Sequence, residues 1–197
     1  MISNYLEVLV LSIVQGVSEF LPVSSSAHLI IFSNVIDFSN QSIIFDVGLH
    51  LGSLLAIIFY FNKELLNISK DKKLFNLLLI GSIPLILVGY IFYSTGIINS
   101  FRNLKVIAWT TLIFGILMYF ADTFKIKKNI EKDLTIKNIL IIGILQILAI
   151  IPGVSRAGIT ITAGRFLNFD RHDSAKISFY LSIPALMGAS ILSLKDT

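Results

Sequence analysis

The sequence predicts an all-α polytopic membrane protein, an inverted-topology repeat with two re-entrant, broken helical segments. Three observations carry this. The 197 residues are 55% apolar and only 14% charged, where soluble domains carry about 25% charged residues; the mean hydropathy is +0.83. Four apolar runs, 43–61, 74–93, 104–121 and 177–194, have the length of a membrane span, which needs about 20 mostly apolar residues. Two longer runs, 5–36 and 138–167, are interrupted by proline, glycine and polar side chains.

The first long run is broken at SEFLPVSSSAH, residues 18–28. Proline has no backbone donor and ends a helix, so Pro22 stops the helix just beyond Glu19 and a second short helix follows. The run 43–61 is a clean span, and 74–93 contains no charged residue at all. The run 104–121 is the third span. The second long run breaks at PGVSRAGIT, residues 152–160, and 177–194 is the last span. Irregular backbone at membrane depth survives only when it is buried in protein or lines a wet cavity.

Charge sets the orientation. Residues 1–62 contain no Lys or Arg, and the lysines cluster at 63–73 and 125–137. Two spans separate these clusters, so both lie on one side, which the positive-inside rule makes cytoplasmic. The first broken segment then dips in from outside and the second from the cytoplasm. The net charge of +4 therefore reads as topology signals beside anionic lipid, and no nucleic-acid partner is expected. The chain has no Cys, which excludes disulfides and thiolate zinc sites. The start, MISNYLEVLV, lacks a basic signal-peptide region and reads as mature protein.

The broken segments resemble each other. Gln15 and Gln146 lie 131 apart, and Pro22 and Pro152, each opening a P-x-x-S pattern, lie 130 apart. Opposite insertion of two such units places a binding site where the interrupted helices meet near the midplane. The first repeat covers residues 1–130 as a re-entrant pair plus three spans; the second covers 131–197 with a re-entrant pair and one span. Two spans are thus short of a full second copy, and a short copy, a fragment, or supply by a partner chain each accounts for them.

Ionisable groups inside a membrane are costly and mark sites of transport or chemistry. Gln15 and Glu19 stand i,i+4 and share a helix face with Ser12. Ser25 and His28 are the nucleophile candidates, and Glu19 orients the nucleophile or holds a metal, with Gln15 nearby. Gly153, Ser155, Arg156 and Thr160 form a phosphate clamp, because a helix N-terminus presents backbone N–H groups and arginine binds phosphate bidentately. Such an assembly suits phosphoryl transfer. Ser24 and Ser26 read as helix caps. Asp46 and His50, also i,i+4, read as supporting partners of the site or as lining of a wet crevice. Arg165, Arg171 and His172 read as surface groups near the cytoplasmic return, and Trp109 and the tyrosines as interface anchors or packing.

QGVSEFLPVSSSAH and QILAIIPGVSRAGIT resemble the two signature motifs of the undecaprenyl-diphosphate phosphatase family, the bacitracin-resistance type, whose patterns are [E/Q]GxxEFLPVSSxGH and PGxSRSGxT. FDVGLHLGSLLA is similar to the family as well, and the resemblance covers the whole chain in order. It implies an inner-membrane enzyme with an outward-facing site that cleaves undecaprenyl diphosphate to the monophosphate and inorganic phosphate. That recycles the carrier for peptidoglycan synthesis and confers bacitracin resistance. It also implies a divalent cation, Mg²⁺ or Ca²⁺, and functional roles for Gln15, Glu19, Ser25, His28 and Arg156, with Ser155 and Thr160 nearby. The partners expected are a polyprenyl diphosphate lipid, membrane lipids and a second copy in a homodimer. Gln15 stands where many members carry Glu, Ala27 and Ala157 replace Gly and Ser, and members continue through further spans. A flippase for a phosphorylated lipid and an inactive short copy are the rival readings, and phosphate release separates them.

Overall fold

A computed structural model describes residues 2–36 and 43–194. Among them the chain is helical, with no strand beyond a single bridge between Lys128 and Phe169. In order, α1 is Ile2–Ser18, α2 Ser25–Ile36, α3 Ile43–Tyr60, α4 Asn62–Lys70, α5 Lys72–Ser94, α6 Leu104–Asp122, α7 Ile130–Asp133, α8 Ile136–Gln146, α9 Arg156–Phe166 and α10 Arg171–Leu194. Short 3₁₀ turns cover Ile97–Phe101 and Ile147–Ile150.

Among the described residues, three helices are long and apolar enough to cross a membrane: Lys72–Ser94, Leu104–Asp122 and Arg171–Leu192. Helices α3 and α4, bent by 76° at their junction, together have the length and composition of a fourth span. That bend falls where the apolar run meets Lys63 and Glu64. Each broken segment forms two short helices around a loop, as the sequence predicts. The first break comes earlier than Pro22: α1 ends at Ser18, although the Glu19 N–H still donates to the Gln15 carbonyl at 2.9 Å.

The principal core lies between α5, α8, α9 and α10, where Leu77, Ile139, Ile142, Ala163 and Leu181 are buried. Small residues let these helices approach closely, as membrane helices require. A Cβ on Gly143 of α8 would lie 2.1 Å from the Gly81 carbonyl oxygen of α5, so only glycine fits there.

Arg165 is a correction to the sequence reading. It is 4% exposed, not a surface group. Its guanidinium donates to the carbonyls of Phe169, Asp122 and Phe124 at 2.6, 2.9 and 2.7 Å. These oxygens lie at or just past the C-terminal ends of α6 and α9, where backbone acceptors lack intrahelical partners, and one arginine ties both ends together. Arg171 and His172 are exposed, as expected, and Arg171 pairs with Asp122.

Candidate active site

The two loops meet. The Gly153 N–H donates to Ser24 Oγ at 3.2 Å, and Ser155 Oγ donates to the Leu21 carbonyl at 3.3 Å. Ser24 therefore links the loops. It does so with φ +63°, a left-handed conformation rare outside glycine and concentrated at functional sites. Ser155 caps α9, its Oγ accepting from the Gly158 N–H at 3.0 Å.

Gly153 is the hinge of the second loop. Its φ is +92°, and an added Cβ would fall 2.0 Å from Thr110 Oγ1 and 2.9 Å from the Ile107 carbonyl. The same threonine donates to the Pro152 carbonyl at 2.7 Å. α6 thus clamps the loop through a close approach that only glycine allows. Gly153→Ala is expected to lower both thermal stability in detergent and turnover, because the loop must shift to clear α6. A variant with wild-type melting temperature and activity would contradict this clamp.

Glu19 is the centre of the assembly. Its side chain is 4% exposed, and one carboxylate oxygen, Oε1, accepts from Arg156 at 2.6 Å. The other, Oε2, accepts from Ser25 Oγ at 2.6 Å and Gln15 Nε2 at 2.8 Å. His50 Nε2 lies 3.3 Å from the same oxygen. A buried carboxylate without such partners would be prohibitively costly; here Gln15, Ser25 and Arg156 all donate to it.

Ser25, Glu19, Ser155 and Arg156 line one cavity of about 260 Å³, together with Asp46, His50 and Arg102. The opposite wall is apolar and comes from α5 and α10, including Leu85, Ile86, Ala185 and Leu186. Pro84 and Pro184, inside those two helices, immediately precede this wall and each removes an intrahelical donor.

Other sequence-predicted residues lie elsewhere. His28 Nδ1 is paired with the Ser24 carbonyl at 2.8 Å, and His28 is not among the cavity-lining residues. Thr160 is buried and donates to Ser178 Oγ at 2.8 Å, joining α9 to α10. Gln146 is fully buried in α8, outside the lining. Asp46 and His50 do line the crevice. Arg102, which pairs with Asp46 at 2.6 Å, is the residue that sequence reasoning missed, since nothing in SFRNLK marks it.

Hard divalent cations take oxygen ligands. Glu19 offers a carboxylate, and Gln15 Oε1 is buried with no hydrogen-bond partner among the described residues. These oxygens belong to i,i+4 neighbours, so the donor set fits such a cation in kind. A cation held there would share Glu19 with Arg156.

The family model described as bacitracin resistance protein BacA matches residues 8–197. The chain is similar to the undecaprenyl-diphosphatase of Pelagibacter ubique, with 59% identity over 197 residues, all of this chain and 77% of the relative. It is 44% identical to the enzyme of that name from Elusimicrobium minutum over 94% of this chain and 74% of the relative. With that of Alteromonas mediterranea it shares 40% identity, over 96% and 76%.

Proposed function

The chain belongs to the bacitracin resistance protein BacA family, and from that premise we propose that it hydrolyses undecaprenyl diphosphate at Ser25, Glu19 and Arg156. The observation that carries the site assignment is one carboxylate with two charged duties. Glu19 accepts from the Ser25 hydroxyl through one oxygen and from Arg156 through the other, both at 2.6 Å. A hydroxyl hydrogen-bonded to a carboxylate is an activated nucleophile, and a guanidinium beside it neutralises charge on a phosphoryl group in transfer.

Ser25 Oγ bonds to the terminal phosphorus and its proton passes to Glu19. The bond from that phosphorus to the bridging oxygen breaks, and its electron pair leaves with undecaprenyl phosphate, which takes up the proton from Glu19. Water then attacks the phosphoserine, losing a proton to Glu19, and Ser25 Oγ regains a proton as inorganic phosphate departs. Arg156 holds the non-bridging oxygens throughout. A divalent cation held by Glu19 with Gln15 would add further neutralisation of the diphosphate. The apolar wall from α5 and α10 suits the isoprenoid tail.

The protein is a multi-pass membrane protein, and the cytoplasmic membrane with an outward-facing site is the orientation we favour. In support, the cavity draws on the start of α3 and on the last turns of α5 and α10, the ends remote from the lysine-rich connections. The positive-inside rule puts those connections in the cytoplasm.

The test is phosphate release from undecaprenyl diphosphate by the purified chain in detergent, with Mg²⁺ or Ca²⁺ and then with chelator. Wild-type release that is lost on chelation and in Ser25→Ala, but retained in His28→Ala, is expected. Release undiminished in Ser25→Ala would overturn the assignment. Movement of labelled lipid across a vesicle bilayer without phosphate release would favour the flippase reading.

A further inference from the structure

A diphosphate has two phosphates, and only the terminal one is attacked. The cavity wall carries a second guanidinium besides Arg156. Arg102 follows the 3₁₀ turn Ile97–Phe101 in the connection between α5 and α6. Its Nη2 donates to Asp46 Oδ2 at 2.6 Å, and its side chain is 20% exposed, against 6% for Asp46.

One turn of α3 joins the two ion pairs. His50 Nδ1 is paired with the Asp46 backbone carbonyl at 2.6 Å, while its Nε2 faces Glu19. Asp46 and His50 stand four residues apart on α3, about 6 Å along the helix axis, so α3 brings the Asp46–Arg102 pair and, through His50, the Glu19–Arg156 pair to the wall of one cavity. Asp46 is the side-chain partner that Arg102 engages, through one of its nitrogens. The guanidinium fork has five N–H donors in a plane matched to phosphate oxygens.

A largely buried charged pair is an inefficient stabilising device, since well-packed apolar residues commonly do as well or better. Its position on the cavity surface calls for a ligand. We propose that Arg102, oriented by Asp46, is a second phosphate anchor, gripping the phosphate that stays on the lipid while Arg156 grips the one that leaves. The inference rests on the phosphatase reading above and adds a basis for its selectivity. An isoprenoid diphosphate engages both guanidinium groups, the lipid product engages Arg102, and free phosphate engages Arg156.

The test compares wild type, Arg102→Met and the double variant Asp46→Asn/Arg102→Met, the last removing any uncompensated carboxylate. The KM for undecaprenyl diphosphate and the inhibition constants of undecaprenyl phosphate and inorganic phosphate are measured for each. Both variants are expected to raise KM and the inhibition constant of undecaprenyl phosphate by about tenfold or more, the loss of a charge-assisted hydrogen bond. Inhibition by inorganic phosphate stays as in wild type. If the double variant regains the wild-type constants, or if the two inhibition constants move together, Arg102 is a structural tie between loop and helix and the proposal fails. Absence of phosphate release from wild type in the same assay would instead sink the phosphatase reading. Binding of undecaprenyl phosphate to the inactive protein would still report on Arg102.

Discussion

Glu19→Gln is expected to lower the turnover of undecaprenyl diphosphate by about 10²–10⁴-fold, the usual contribution of a general base. The substitution keeps the shape of the side chain and removes its charge and basicity. Ser25, which donates to Glu19 Oε2 at 2.6 Å, then faces an amide that cannot take its proton. Arg156 simultaneously loses its carboxylate partner. Glu19→Asp separates basicity from position. It keeps the charge but withdraws the carboxylate by one methylene from Ser25, and misplacement on the order of 1 Å costs about 10²-fold. The check is kcat for the three proteins under saturating substrate, with membrane insertion confirmed. Equal turnover in wild type and Glu19→Gln would remove Glu19 from the chemistry.

Arg156→Lys is expected to cost about 10²–10³-fold in kcat, the range for one lost charge-stabilising donor. Lysine keeps the positive charge, so Glu19 remains compensated and the melting temperature changes little. What goes is the planar fork that holds two phosphate oxygens at once. Arg156→Met differs in kind. The Glu19 and Arg156 side chains are 4% and 13% exposed, and breaking a buried pair by removing one partner costs about 3–5 kcal/mol. Arg156→Met should therefore lose both activity and thermal stability, whereas Arg156→Lys loses activity alone. A lysine variant with full kcat would reduce Arg156 to a structural counter-ion.

The sequence was most informative where chemistry and covalent geometry are local. Prolines and polar clusters inside apolar runs located both broken segments, and the i,i+4 spacing of Gln15 and Glu19 put them on one face. Gln15 and Ser25 both donate to Glu19, and Arg156 reaches Glu19 from the second loop, which bonds to the first through Ser24 and Gly153. Histidine was harder. His28 follows the serine run, yet its ring bonds to the carbonyl one turn back within its own helix region. His50 arrives at Glu19 from α3 through packing that no local pattern encodes. Arg102 was invisible for the same reason: a lone arginine in a short connection takes its meaning from Asp46, 56 residues away. Arg165 misled because an arginine near a polar stretch resembles a surface charge until the chain ends that it ties together are in place.

The most direct test of the central claim is a single turnover of undecaprenyl diphosphate labelled in its terminal phosphate, quenched within the first turnover in acid and, separately, in alkali. Ser25 as nucleophile requires acid-stable label on the peptide that carries Ser25, rising before free phosphate and absent from Ser25→Ala. Acid-labile label on His28, or free phosphate appearing with no label on the protein at any time, would contradict it.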